Sequence, residues 1–170
     1  MDLEPRQPPT TAPRPPAHHV DPRAKRYWLV SGAAQLAAVV LAAGLPAVWW
    51  DAGRPWLLAV GGALALVTLP RAAVAPWLRL RVHRWEATDT AVYSRTGWLT
   101  REWRIAPLNR VQTVEVRRNA LHRAFGLAAV SVTTGSAQGA VVIQGLDATV
   151  AEQLTETLTD AVARTQGDAT

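Results

Sequence analysis

The sequence predicts an α+β membrane protein, in which a two-helix transmembrane hairpin precedes an antiparallel β-domain that ends in one α-helix. Three observations support this prediction. About two dozen uncharged residues run from Tyr27 to Trp50, and a second apolar run follows from Pro55 to about Pro70. From Leu80 onward the hydrophobic period shortens toward two over several short segments. After Gly145 it returns to the helical period.

The two apolar runs are long enough to form a membrane-spanning hairpin over residues 23–78. As a helix, the first run is about 36 Å long and the second about 24 Å, or more if Arg71 snorkels, against a hydrocarbon core of roughly 30 Å. Only Asp51 to Arg54 separate them, so the helices, at about 27–50 and 55–74, are expected to be antiparallel neighbours. A soluble domain this small would rarely leave such a helix apolar on every face. A cleaved signal peptide is the main alternative, but the apolar run begins late and another follows it.

The distribution of cations predicts how the hairpin is oriented. Basic residues precede the first helix and follow the second, whereas the turn holds Arg54 beside Asp51. By the positive-inside rule, both termini of this multi-pass protein are cytoplasmic and the protein lies in the cell membrane. Aromatic residues near the helix ends, with Arg71, predict the membrane interfaces. The inner group is Tyr27, Trp28 and Trp77, and the outer group is Trp49, Trp50 and Trp56.

Small residues at four-residue spacing predict close packing between the two helices. They are Ala34, Ala38 and Ala42 on the first helix and Gly61 and Ala65 on the second. Because the chain is rich in alanine throughout, chance explains the same spacing equally well. Neither helix has an ionisable residue away from its ends. A proton relay, an ion path or an intramembrane catalytic group is therefore not expected.

Residues 1–22 are predicted to form a disordered cytoplasmic tail, because this segment is rich in proline and has few large apolar side chains. A polyproline ligand is the alternative to a simple solvated tail. The adjacent His18 and His19 lack other nearby ligands and do not define a metal site. Residues 166–170 are likewise expected to be a disordered C-terminus.

Composition narrows the possible functions. Once the hairpin and the tail are set aside, roughly 90 residues remain for one soluble domain, which is an ordinary domain size. The chain has no cysteine, which excludes disulfides, thiolate nucleophiles and zinc–thiolate sites. The net charge of +5 is unevenly spread, since Arg79 to Arg123 is basic and the last helix is acidic. The basic stretch begins where the chain leaves the bilayer, so attraction to anionic lipid headgroups is favoured over nucleic acid, for which no motif is present.

Short β-rich segments separated by turn signals predict an antiparallel meander. They are Leu80 to Glu86, Ala91 to Thr96, Arg101 to Ala106, Val111 to Arg117, Leu127 to Thr133 and Ala140 to Gln144. Alternation is clearest where Val114 and Val116 are interleaved with Glu115 and Arg117, which predicts one buried face and one wet face.

The last predicted element is an amphipathic helix that covers an open end of the curved sheet. Its apolar side consists of Val150, Leu154, Leu158 and Val162. Two starts are compatible with the sequence. Either Asp147 caps the helix, or Thr149 and Glu152 form a capping box.

Three segments resemble a known family when they are read with the order of hairpin, strands and helix. They are Trp85 to Asp89, Pro107 to Val114 and Leu121 to Ala128. Over about residues 27–162 the chain resembles YdbS-like bacterial membrane proteins that carry the second type of bacterial pleckstrin-homology (PH) domain. The resemblance implies a cytoplasmic PH-like barrel or sandwich over residues 79–165, capped by the C-terminal helix, with no known catalytic activity.

Two functions fit these predictions. The first is a membrane-tethered scaffold that presents a surface or edge strand to another membrane protein or to a second copy. The second is a sensor of anionic headgroups, although the loop from Ala87 to Thr90 lacks the basic residues with which eukaryotic phosphoinositide binders of this fold hold their ligand. Candidate contacts for a headgroup or a partner are Arg101, Arg104, Arg117, Arg118 and Arg123, although for each of them a solvated strand face is favoured over a dedicated contact.

An enzyme is not expected. The chain has no nucleophile elbow, P-loop, dinucleotide fingerprint or paired-histidine metalloprotease helix. The sequence therefore assigns no catalytic residue, cofactor or metal.

Overall fold

The computed structural model describes residues 15–97, 100–135 and 139–167. The elements are β1 (His18–His19), α1 (Ala24–Trp49), α2 (Arg54–Val82), β2 (Arg84–Ala87), β3 (Ala91–Thr96), β4 (Glu102–Pro107), a short 3₁₀ turn (Leu108–Arg110), β5 (Val111–Arg117), α3 (Ala120–Ala124), β6 (Leu127–Thr134), β7 (Val141–Asp147) and α4 (Ala148–Gly167).

Helices α1 and α2 pack against each other as a hairpin, and both are long and apolar enough to cross a membrane. Most of their apolar side chains are exposed, unlike those of core helices in a soluble protein. The turn between them is fixed by Arg54, which donates from Nε to the Ala47 carbonyl (2.8 Å) and pairs with Asp51.

Helix α2 extends further than the predicted end at residue 74. It passes through Pro70 and Pro76 and continues to Val82, so that part of the segment predicted as a strand from Leu80 is helical. Proline removes one backbone hydrogen bond, but packing against a neighbouring helix compensates for this loss, and Pro76 is fully buried. The β-domain consequently begins at Arg84 instead of residue 79.

Close approach of the two helices depends on two glycines. Gly61 is buried, and a Cβ atom there would overlap the Cβ of Ala43. Nearer the other end, a Cβ at Gly32 would lie 2.8 Å from the Cβ of Ala72. Gly61 belongs to the predicted small-residue pattern, but its contact partner is Ala43 and not a predicted member of the first helix.

The β-domain is a sandwich of two antiparallel sheets that do not close into a barrel. One sheet has the order β1-β2-β3-β4 and the other β5-β6-β7. Between them lies an apolar core that α4 covers with Ala151, Leu154 and Leu158. Asp147 Oδ1 accepts from the backbone N–H groups of Thr149 (2.8 Å) and Val150 (3.4 Å), so Asp147 provides the cap at the start of α4.

The segment from residue 15 to 22 is ordered against the β-domain, although the sequence predicted a disordered tail through residue 22. Strand β1 pairs antiparallel with β2, and His18 lies opposite Trp85. Pro16 and Val20 are buried. Val20 forms an apolar cluster with Ala24, Trp28 and Leu127. The predicted disorder of residues 1–14 and 168–170 concerns positions outside the described residues. Residues 166 and 167 belong to α4, which ends at Gly167.

Candidate functional site

The two sheets leave an open gap between the edge strands β4 and β7. Each is the last strand of its sheet, and no backbone ladder joins them. A cleft of about 330 Å³ lies between them, lined by Glu102, Trp103, Arg104, Ile105, Thr134, Gly139 and Val141. An edge strand presents backbone N–H and C=O groups that can pair with a further strand.

A side chain bridges this gap in place of a backbone ladder. Arg104 lies on the same face of β4 as the fully buried Ala106, so it points inward, and at the open end of the sandwich it reaches across to β7. Its Nη1 donates to the Ala140 carbonyl (3.1 Å), and its Nη2 pairs with Glu102 (3.4 Å). Because these groups are exposed, the link is weak and easily exchanged for another partner.

The other face of β4 presents aromatic and aliphatic side chains beside the gap. Ile105 is 50% exposed and opposes Tyr93 of β3. Trp103 opposes Arg95, whose guanidinium lies 5.5 Å from the centre of the indole ring. The gap therefore combines unpaired backbone groups with an apolar contact surface.

A second cleft, of about 350 Å³, lies on the side of the gap that faces the hairpin. Glu102 and Arg104 line both clefts, and the second also includes Arg79 and His83 at the end of α2. Within the described residues, His83 Nδ1 is buried and has no hydrogen-bond partner. Burial lowers the pKa of His83 to about 4, and the nearby Arg79 cation acts in the same direction. His83 is therefore uncharged at neutral pH.

A clamp of N-terminal residues attaches the hairpin to the β-domain. The Asp21 backbone N–H donates to the Gly145 carbonyl (2.8 Å), and Arg23 pairs with both Asp21 (3.0 Å) and Asp147. The hydrogen bonds from Arg23 lower the pKa of both carboxyl groups, so both remain charged at neutral pH. Gly145 has a φ of 74°, and a Cβ there would lie 2.8 Å from that of Ala24. The base of α1 thus lies directly against β7.

The aromatic residues predicted for the inner interface have different environments. Trp28 is only 4% exposed and is tilted against His83 at 5.5 Å, which makes it a core residue of the clamp and not a lipid-facing one. Tyr27 is half-buried and stacks on His122 at 4.4 Å. Trp77 is exposed, with Lys25 Nζ 2.8 Å from its ring centre. Near the turn, the exposed residues are Trp49, Trp50 and Trp56.

The five arginines selected from the sequence do not form one cluster. Arg104 lies in the gap, Arg117 pairs with Glu115 (3.1 Å), and Arg101 and Arg123 are exposed. Arg118 joins β5 to the start of α4, because its Nη2 donates to the Ala148 carbonyl (3.0 Å) and to Glu152 (2.7 Å).

The gap itself was not predicted from the sequence, although one signal for it was available. Arg104 occupies an inward position of the period-two pattern, next to the apolar Ala106. An inward-pointing charge is a common feature of strands at the edge of a sheet.

Comparison with known proteins identifies a family for this chain but no individual relative. A family model described as a bacterial PH domain matches residues 27–162, a range that includes nearly all of the hairpin as well as the β-domain. No curated protein and no solved structure matches the chain. PH-like domains are generally non-catalytic, and a PH-like domain with two possible membrane-spanning helices fits a membrane-associated module.

Proposed function

Because this chain belongs to the bacterial PH domain family, we propose that it is a membrane-tethered interaction module whose gap between β4 and β7 binds an extended segment of a partner protein. The hairpin spans the cell membrane with both termini on the cytoplasmic side, in the arrangement of YdbS-like proteins. The partner is another membrane protein or a second copy of this chain.

The observation that supports this function is the pair of edge strands that, among the described residues, share no backbone ladder and are linked by the Arg104 side chain. A segment added beside β4 would gain backbone hydrogen bonds, which supply affinity in strand-addition complexes. Its alternate side chains would contact Trp103 and Ile105, which supply specificity. Displacing the exposed Arg104 link costs little, because exposed ion pairs contribute at most about 1 kcal/mol.

Headgroup binding by the five arginines has less support. Arg104 and Arg118 each bond to a backbone carbonyl as well as to a carboxylate, and Arg117 pairs with Glu115. These contacts give each of the three a structural role within the β-domain. The five side chains are also distributed over the region of β4, the end of β5 and α3, and neither cleft at the gap is lined by more than one of them.

Site-specific photocrosslinking in native membranes tests the proposed gap. A photoreactive amino acid at Ile105 should give a discrete crosslinked species, whereas the same group at Glu156, on the exposed face of α4, should not. Combining the substitution Arg104→Glu with the probe at position 105 should change the yield of this crosslinked species, because the Arg104 side chain spans the gap. Equal yields from positions 105 and 156, or no discrete product from position 105, would contradict the proposal.

A further inference from the structure

A polar cleft lies between α1 and α2 near the base of the hairpin, apart from the gap between the sheets. It has a volume of about 180 Å³, and its polar lining comes from Ser31, Gln35, Arg71 and Arg79. Further along the hairpin, the groove between the same helices is lined entirely by alanine, glycine, valine and leucine. Of these two clefts between the helices, the one near the base of the hairpin is therefore polar and the other apolar.

The cleft lies where the hairpin is expected to pass from the hydrocarbon core into the headgroup region. At 1.5 Å per residue, Arg71 lies about 26 Å and Arg79 about 38 Å along α2 from its start at the turn. On α1, Gln35 and Ser31 lie about 21 and 27 Å from the turn. A hydrocarbon core is roughly 30 Å thick. The cleft thus extends across the inner boundary of the bilayer when the turn lies at the outer one.

The charges in the cleft have no acidic partner among the described residues. Neither Arg71 nor Arg79 takes part in any of the ion pairs formed there. Arg79 is half-buried with its guanidinium 5.8 Å from the Trp28 ring, and it lines the same cleft as Arg71. An anion bound in the cleft would neutralise both cations, and guanidinium groups suit phosphate oxygens in particular.

We propose that this cleft binds the phosphate of an anionic phospholipid of the inner leaflet. Arg71 and Arg79 contact the phosphate oxygens, and the exposed Gln35 amide donates a further hydrogen bond. The small side chains of Ala72 and Ala75 leave room for the headgroup and continue into the apolar surface on which the acyl chains lie. Basic pockets between transmembrane helices on the cytoplasmic side commonly bind such headgroups. The site rests on the proposed membrane insertion of the hairpin and does not depend on the gap between β4 and β7.

Native mass spectrometry of the full-length protein, released from mixed micelles of phosphatidylglycerol and phosphatidylcholine, tests this site. The wild type should retain phosphatidylglycerol in preference to phosphatidylcholine. Arg71→Gln and Arg79→Gln should each weaken retention about tenfold, the change that corresponds to one lost interaction of about 1.4 kcal/mol. Arg81→Gln is the matched control, because Arg81 is an exposed cation in the same helical turn that does not line the cleft.

Three results would overturn the assignment. The first is equal retention by the wild type and both cleft variants, and the second is an equal loss in Arg81→Gln, which would indicate general charge attraction. The third is displacement of the lipid by equimolar inorganic phosphate, which would assign the cleft to a soluble anion. Arg71→Lys and Arg79→Lys keep the charge and should retain an intermediate amount of lipid, which separates lost binding from misfolding.

Flotation with neutral phosphatidylcholine liposomes separates failure of this site from failure of the proposed tether. A wild-type protein that floats but shows no preference for phosphatidylglycerol lacks only the headgroup site. A wild-type protein that does not float lacks the inserted hairpin itself, and the site is then also overturned.

Discussion

One buried imidazole lies where the hairpin meets the β-domain. His83 directly follows α2, contacts Trp28 and lines the cleft on the side of the gap that faces the hairpin. It is only 8% exposed, and burial together with the nearby Arg79 cation keeps its pKa near 4. In the unfolded chain a histidine ionises near 6.5. The folded protein therefore holds His83 neutral at pH values where the unfolded chain would protonate it.

Replacing His83 by phenylalanine should remove part of the acid sensitivity of the fold. Because the folded-state pKa lies below the unfolded one, the stabilisation is complete above pH 6.5 and is lost as the pH falls toward 4, by up to roughly 3 kcal/mol. We expect the melting temperature of the wild type in detergent to fall across this interval, and that of His83→Phe to fall much less. Phenylalanine keeps an aromatic ring beside Trp28.

The pH interval in which the melting temperature changes distinguishes the effect of His83 from that of the carboxyl groups of the clamp. Asp21 and Asp147 have pKa values below the ordinary value of an aspartate, so they titrate below this interval. An unchanged pH dependence in His83→Phe between pH 6.5 and 4 would show that burial of this imidazole has no thermodynamic consequence.

At the residue scale, the sequence indicated best those residues whose role depends on their neighbours in the chain. Gly126, in one of the three segments that carry the family resemblance, has a φ of 65°, which glycine adopts without strain. Asp147 was one of two predicted caps for α4, and it accepts both backbone hydrogen bonds. Trp28 was assigned to an interfacial belt, but it packs with Leu127 and His83, which are distant in the sequence. A side chain buried by distant residues cannot be distinguished from an interfacial one by its position near a helix end.

At the scale of elements, the hairpin depends on backbone contact at a few small residues. Gly61 is buried against Ala43, whereas its neighbour Gly62 has no atom within 4 Å of the position that a Cβ would take. In a membrane, where apolar side chains gain little by leaving lipid, close packing of this kind provides much of the attraction between helices.

The substitution Gly61→Leu should therefore separate the helices, and Gly62→Leu should not. Inserting a large side chain at a packed contact typically costs about 1 to 3 kcal/mol. We expect the melting temperature of full-length Gly61→Leu in detergent to fall by several degrees. Gly62→Leu should be neutral or slightly stabilising, because leucine has the higher helix propensity. Identical melting temperatures for the two variants would argue against a close helix contact at Gly61.

Periodicity placed regularly alternating strands well, and it failed in segments that contain proline. Strands β3 and β5 have the predicted bounds, because alternation over six or seven residues is a strong local signal. The end of α2 was misplaced because two prolines resemble helix stops when the neighbouring helix is not considered. Strand β1 was missed because two histidines in a proline-rich segment have no pattern of their own. They form a strand only where β2 supplies a pairing edge.

At the scale of the whole molecule, the clamp fixes how the hairpin and the β-domain are arranged. Besides the covalent connection at His83, the two are joined by β1 on β2, by the Asp21 contact to Gly145 and by Tyr27 stacked on His122. These contacts reach three different elements of the β-domain, β2, β7 and α3, so they oppose rotation about the connection. The sequence predicted both parts but not this attachment, since every contact in it joins residues far apart in the chain.

Removing the clamp should let the β-domain move relative to the hairpin, which distances between paired spin labels can detect. The chain has no cysteine, so cysteines introduced at Asp51 in the hairpin turn and Asp89 in the β2–β3 turn would be labelled alone. The full chain should give one narrow distance distribution. Deleting residues 1–23 removes β1, Val20, Asp21 and Arg23 and should broaden it, whereas deleting residues 1–14 removes none of the contacts described above and should leave it unchanged. Equal widths in both deletions would mean that the α1 contacts to the β-domain and the direct connection from α2 to β2 are sufficient to hold the β-domain in place relative to the hairpin.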